Sequence, residues 1–144
     1  MKKELEKKIF GEFPELFKHR YDIKLSLMSY GFMHDNGWFN LVYELCRDIK
    51  AELEKTPLED FYVAEVKEKF GGLRFYVSHG TEKIFKLIDG AQEKSYSICE
   101  KCGKPGKLRI GKLRVRSGWY KTLCETCAGE KWEKAELHFS NEQR

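Results

Sequence analysis

The chain has 144 residues, which suits one globular domain, either alone or with a small appendage. Its hydrophobic fraction of 41% and charged fraction of 35% argue against wholesale disorder. The formal net charge is +4, but residues 1–98 carry 16 basic and 17 acidic side chains, whereas residues 99–144 carry 11 and 6. No apolar run reaches the ~18–20 residues that span a bilayer, and the N-terminus lacks the apolar segment of a signal peptide, so we expect a cytoplasmic protein.

The first third of the chain predicts two short helices and a strand. Residues 3–10 form the first predicted helix, and Pro14, which suits a first helical turn, opens the second. Residues 21–33 alternate roughly between apolar and polar side chains, which predicts a strand.

The middle of the chain predicts two helices on either side of a β-hairpin. Apolar residues recur at helical spacing over 38–55, where Asp35 or Asn36 can cap the helix and Pro57 ends it. Two strand-like runs, 61–67 and 73–78, flank a pair of glycines and predict the hairpin. A further helix is expected from Thr81 to about residue 95.

Four of the five cysteines form two CxxC pairs, Cys99/Cys102 and Cys124/Cys127, separated by 21 residues. Each CxxC turn can direct two thiolates into one site, and two such turns complete the tetrahedral Cys₄ set of a structural Zn²⁺ site. A redox disulfide pair and an iron–sulfur cluster are the alternatives. Cys46 stands alone on the apolar face of the long helix, which predicts a buried, inert thiol.

The residues between and after the pairs indicate the type of zinc module. Residues 107–110 and 112–116 predict two short strands that turn at Gly111, and residues 128–139 predict a helix after the second pair. This order favours a treble clef, because a zinc ribbon would end in a strand.

The predicted zinc hairpin alternates basic and apolar residues. A period of two would place its cations on one outward strip, with Lys104 and Lys121 able to join it; the strip comprises Lys107, Arg109, Lys112, Arg114 and Arg116. We expect this strip to contact either nucleic acid phosphates or an acidic protein partner, or to serve as a solvated face.

Evidence for catalysis is sparse in the sequence. His34 and Asp35 are the only pair that hints at an active site, and they lack a partnered nucleophile. Treble clefs also occur in metal-dependent nucleases, but such enzymes need a histidine-rich site beside the zinc module, and the sequence does not supply one.

Three stretches carry a family resemblance: Asp35-Asn36-Gly37-Trp38-Phe39, residues 66–77 (VKEKFGGLRFYV), and residues 99–106 (CEKCGKPG) followed by Gly118-Trp119 and the second cysteine pair. Through them, residues 30–128 resemble a family of small proteins found largely in bacteriophages and prophages. Relatives often have Gly-Asp-Gly-Trp where this chain has Asp-Asn-Gly-Trp. The resemblance implies a phage-associated, zinc-binding protein in the host cytoplasm and supplies no catalytic residue. Because many small phage proteins bind host machinery or blunt host defences, inhibition of a host defence is one expected role.

The sequence therefore predicts an α+β fold, with a helix and hairpin body over 1–97 and a treble-clef-like Cys₄ module over 98–144. The expected function is binding of a host protein or nucleic acid, with Zn²⁺ as a structural ion. The alternative is a nuclease-like, metal-dependent enzyme acting on nucleic acid.

Overall fold

A computed structural model of the chain describes residues 1–112 and 119–135. The body contains two short 3₁₀ turns and five main elements, which in chain order are α1 (Lys3–Glu12), α2 (Phe39–Lys55), β1 (Val63–Lys69), β2 (Gly72–Val77) and α3 (Glu82–Ser95). The cysteine module, from residue 98 onward, contains β3 (Lys107–Gly111), β4 (Tyr120–Leu123), α4 (Glu125–Ala128) and β5 (Trp132–Lys134). The α+β class expected from the sequence is confirmed in this general form.

The main core lies between α2, α3 and the β1–β2 hairpin. Because α2 carries its apolar residues at helical spacing, one face is buried, comprising Leu41, Val42, Leu45, Cys46 and Ile49. Opposite it lie Ile84 and Ile88 of α3 and Val66 and Leu73 of the hairpin. Burial raises the pKa of the Cys46 thiol, as expected for an inert cysteine.

The two central helices begin in different ways. The hydroxyl of Thr81 accepts a hydrogen bond from the amide of Ile84 (3.2 Å) and caps α3, which confirms the predicted start. Helix α2 has no side-chain cap and continues from the 3₁₀ turn Asn36–Trp38. The predicted cap is wrong because the side-chain oxygen of Asn36 instead accepts from the amide of Lys2 (2.7 Å).

The segment between α1 and α2 differs from the predictions. Residues after Pro14 form turns rather than a second helix, and residues 21–33 form turns and the 3₁₀ element Met28–Tyr30 rather than a strand. The side chain of Asp22 accepts from the amide of Lys24 (3.0 Å), which closes a local turn and interrupts the extended backbone. The alternating Ile23 is 71% exposed as a result.

In the cysteine module, β3 is the central strand of an antiparallel sheet ordered β4-β3-β5. The predicted turn at Gly111 is wrong, because Gly111 belongs to β3 and pairs with Trp132 of β5. The strand that follows β3 is Tyr120–Leu123, later in the chain than predicted. Most of the predicted strand 112–116 lies outside the described residues, which resume at 119.

The long helix predicted after the second cysteine pair is also wrong over the described residues. Helix α4 has four residues and ends at Gly129, whose φ of 54° lies in the left-handed region that glycine adopts readily. The chain then forms β5, and the predicted residues 136–139 lie outside the described part. A strand at this position is the feature that we expected of a zinc ribbon.

Buried side chains form two separate clusters, one in the body and a smaller one around Cys99, Leu123, Cys124 and Ala128. We therefore predict that a chain lacking residues 99–144 remains folded but is less stable. Four hydrogen bonds to the module would be lost, namely those made by Asp35, Gly37, Gly71 and Ser97. At ~1 kcal/mol each, their loss should lower the Tm by roughly 15–30 °C. Circular dichroism melts of the truncated and full chains test this, and loss of the cooperative transition would contradict it.

Candidate metal centre

The first cysteine pair lies in a tight turn between α3 and β3. The amide of Cys99 donates to the carbonyl of Lys104 (2.7 Å), and the amide of Gly103 donates to the carbonyl of Cys99 (2.9 Å). A further bond from the amide of Gly106 to the carbonyl of Ser97 (2.9 Å) closes the base of the turn. These backbone bonds define the shape of the turn that carries Cys99 and Cys102.

The second pair lies where β4 ends and α4 begins. Cys124 is the N-terminal cap of α4, and its sulfur accepts a hydrogen bond from the amide of Cys127 (3.4 Å). This amide lowers the pKa of the Cys124 thiol to about 7, because it stabilises the thiolate more than the thiol. A thiolate is the form that binds a metal ion.

The two turns bring the four sulfurs together, all within 4.8 Å of one another. The Sγ atoms of Cys102 and Cys124 are 3.6 Å apart, too far for a disulfide and close to the edge of about 3.8 Å that a tetrahedron with Zn–S bonds of ~2.3 Å requires. Cys99 is fully buried, whereas Cys102 is exposed. The cluster can hold a metal ion, and it is the only such group of histidine, cysteine and carboxylate side chains in the described ranges.

A buried carboxylate joins the metal centre to the body. Glu100, inside the first CxxC turn, is 1% exposed, and its side chain accepts from the amide of Asp35 (3.0 Å) and from the ammonium of Lys121 (3.1 Å). Its backbone carbonyl accepts from the amide of Gly37 (2.6 Å). Burial raises the pKa of the Glu100 carboxyl in spite of this pairing. Burial also opposes the charge of Lys121, but pairing with Glu100 outweighs it and raises the pKa of the ammonium.

Two further contacts hold the same junction. The indole nitrogen of Trp38 donates to the carbonyl of Ile98 (2.9 Å), immediately before the first cysteine. The hydroxyl of Thr122 on β4 donates to the carbonyl of Gly71 in the turn of the β1–β2 hairpin (2.7 Å). The cysteine module therefore packs against the body at two places, namely the 3₁₀ turn that leads into α2 and the turn of the β1–β2 hairpin.

The structure gives His34 and Asp35 a packing role. The His34 ring is 4% exposed and packs against Trp38, with ring centroids 5.6 Å apart. Burial lowers the pKa of His34 to about 4, so the ring is neutral at physiological pH. Its Nδ1 lies 2.8 Å from the carbonyl oxygen of Asp35, while its buried Nε2 has no partner in the described part of the chain.

The predicted basic strip is only partly solvent-facing. Lys104, Lys107 and Lys112 are exposed, whereas Lys121 pairs with Glu100. The prediction is wrong for Arg109, which is 8% exposed and donates through Nε to the carbonyl of Leu123 (2.9 Å). This bond holds the side chain against the end of β4, so alternation along β3 does not place it in solvent. Arg114 and Arg116 lie outside the described residues.

Sequence reasoning missed Glu100, the residue with the most connections to the body. From the sequence alone, a glutamate inside a CxxC turn is expected to be an exposed residue of a solvated loop. Only its position against Asp35, 65 residues away in the sequence, shows that it is buried.

No protein-family model matches this chain, and no curated protein or solved structure is significantly similar to it. The resemblance to phage and prophage proteins therefore depends on the motifs quoted above and stays a prediction. None of the described helices is long and apolar enough to cross a membrane.

The metal centre predicts the result of Cys124→Ser. Serine also caps helices well, so this change removes a thiolate ligand while leaving the cap of α4 intact. We expect about one metal ion per wild-type chain, loss of that ion in the variant, and destabilisation of the module. Elemental analysis and thermal unfolding measure both effects.

Cys46→Ala is the matched control, since Cys46 is buried in the body core. It should keep the metal while losing some stability. Equal metal content in Cys124→Ser and wild type would show that the four sulfurs do not form the site.

The junction predicts a large effect of Gly37→Ala. A Cβ at this position would collide with the backbone carbonyl oxygens of Cys99 and Glu100. These oxygens cannot move unless the first CxxC turn shifts as well. We expect a loss of about 1–3 kcal/mol of stability and faster metal release to a chelator.

Gly90→Ala in α3 is the control, because a Cβ there meets nothing within 4 Å. It should be neutral or stabilising by up to ~1 kcal/mol. If both variants behave alike in thermal melts, close packing at Gly37 does not hold the junction.

Proposed function

We propose that this chain is a zinc-stabilised binding protein in which the metal has a structural role. Four cysteine sulfurs complete a tetrahedral set and leave no position for water or substrate, and thiolates suit zinc. Support also comes from the backbone, which preforms both CxxC turns. Elemental analysis of the purified protein distinguishes zinc from the two alternatives, an iron–sulfur cluster and another divalent ion.

We propose nucleic acid as the partner, bound through the exposed cations of the cysteine module. The observation that carries this proposal is that Lys104, Lys107 and Lys112 are exposed and pair with no acidic residue in the described part of the chain. Unpaired surface cations attract phosphates and release counterions on binding. Arg114 and Arg116, which lie between β3 and β4 in the sequence, add to the basic charge of this part of the chain.

A second candidate function is binding to a host protein, as the phage and prophage resemblance suggests. It is favoured by the exposed apolar side chains between α1 and α2, where Tyr21, Ile23 and Tyr30 are each at least 70% exposed. Such side chains are enriched in protein interfaces when they lie together. Inhibition of a host defence protein belongs to this candidate.

The nuclease-like alternative receives less support. A closed Cys₄ site provides no open metal position, and no second cluster suited to a metal ion occurs within 1–112 and 119–135. His34, the one histidine that hinted at catalysis, is buried among aromatic rings.

We predict that affinity for nucleic acid falls steeply with salt, and that Lys104→Ser combined with Lys112→Ser weakens this dependence. On duplex DNA each neutralised phosphate contributes a slope of about −0.9 in log affinity against log salt, so the slope should flatten by up to about 1.8. Fluorescence anisotropy across a salt series measures it.

The control is Lys50→Ser combined with Lys83→Ser, which removes two exposed lysines from the body. It therefore has the same net charge as the test variant. It should leave the slope unchanged. Absence of measurable affinity at low salt would reject nucleic acid as the partner. Recovery of a host-protein complex that Tyr21→Ser abolishes would then favour the second candidate.

A further inference from the structure

A small cleft lies beside the metal centre, between β3, β5 and α4. Its volume is about 270 Å³, below the ~300–1,000 Å³ of pockets that enclose drug-sized ligands. Three cations line it, namely Lys107, Arg109 and Lys134, together with Glu125 and Cys124. The cleft therefore suits a small anionic group rather than an extended organic ligand.

The register of the sheet explains why the cations gather there. Arg109 of β3 lies directly opposite Lys134 of β5, so the two side chains share one face of the sheet. Lys107 precedes Arg109 by two residues on the same strand and lies on that face as well. Sequence alternation alone did not place Lys134 in this group, because it was predicted to be helical.

Arg109 is the distinctive residue of the cleft. Its side chain is more than nine-tenths buried, yet its Nε–H bond to Leu123 uses only one of five donors. It forms no ion pair with any acidic residue in the described ranges. The largely buried side chain lines the cleft without a counter-charge, which is costly for a group removed from most of its water. Its other four N–H groups have no protein partner in the described ranges.

We propose that this cleft binds a single phosphate group, with Arg109 donating to two of its oxygens and Lys107 and Lys134 adding charge. A planar guanidinium matches the oxygens of a phosphate, whereas lysine acts as a point charge. The biological use of the site rests on the proposed nucleic-acid binding, but its existence is tested without nucleic acid. The phosphate comes either from a phosphodiester backbone or from a terminal or free phosphate.

Another role for Arg109 competes with this proposal. Four thiolates and one Zn²⁺ carry a net charge of −2, and Cys124 lines the same cleft. The guanidinium could be retained only to offset that charge, in which case the cleft would have no affinity for phosphate.

The test is a titration of the full, metal-loaded chain with inorganic phosphate at constant ionic strength, followed by amide chemical shifts in NMR spectra. We expect saturable shifts at residues 107–109, 124–125 and 134. Arg109→Lys keeps the positive charge but removes the planar guanidinium that can donate to two phosphate oxygens, so it should weaken phosphate binding at least about tenfold. Lys107→Ser combined with Lys134→Ser should also weaken it while leaving Arg109 and the metal in place.

Lys50→Ser combined with Lys83→Ser is the charge-matched control and should bind phosphate as wild type does. Non-saturable shifts, or equal weakening in this control, would overturn the proposal. The proposal would also be overturned if the wild type shows no saturable phosphate shift and Arg109→Lys loses its metal. That result would mean that the guanidinium serves to offset the charge of the metal-bound thiolates.

Dimethyl phosphate distinguishes the two sources of phosphate. Binding as strong as that of inorganic phosphate assigns the cleft to a phosphodiester backbone, and much weaker binding assigns it to a terminal or free phosphate. Saturable phosphate binding without nucleic-acid affinity would reject the proposed function while supporting the site.

Discussion

The arrangement of the molecule depends on one buried carboxylate. Glu100 lies inside a metal-binding turn, yet its side chain is held by the amide of Asp35 and the ammonium of Lys121. A buried charge is tolerated only when it is paired, and removing one partner of such a pair costs about 3–5 kcal/mol. Because Lys121 belongs to β4, which leads directly into Cys124, the same contact links both halves of the cysteine cluster to the start of α2.

This junction gives the three motifs of the sequence a shared physical meaning. The backbone amides of Asp35 and Gly37 donate to Glu100. Because Gly37 has no side chain, the first CxxC turn can approach the start of α2 closely. The hairpin turn at Gly71 supplies a carbonyl to Thr122. Stretches that are distant in sequence thus meet at one surface. Their composition follows from the docking of the module against the body, so it is not in itself a sign of an active site.

Elements with strong periodicity could be predicted from the sequence, whereas elements set by tertiary context could not. The α2 pattern and the Thr81 cap carry local signals, and both were confirmed. The alternation around Ile23 suggested a strand, but a local turn at Asp22 interrupts the extended backbone, and only Met33 at the end of this stretch forms a bridge to β1. The cysteine spacing identified the four sulfurs that the fold brings together. The pairing of Arg109 with Lys134 could not be predicted, because the sequence assigned the residues of β5 to a helix.

The positive charge of the cysteine module divides into parts with different physical roles. Lys121 offsets the buried Glu100 and is therefore committed to the fold. Lys104 and Lys112 are exposed and unpaired in the described ranges, so they can change partners at little cost to stability. Arg109 lies between these cases, because its Nε–H bond fixes the side chain while the residue lines a cleft and its remaining donors have no partner in the described ranges. A side chain held in place in this way loses little conformational entropy on binding. We therefore consider Arg109, rather than the exposed Lys104 and Lys112, the residue able to discriminate among anions.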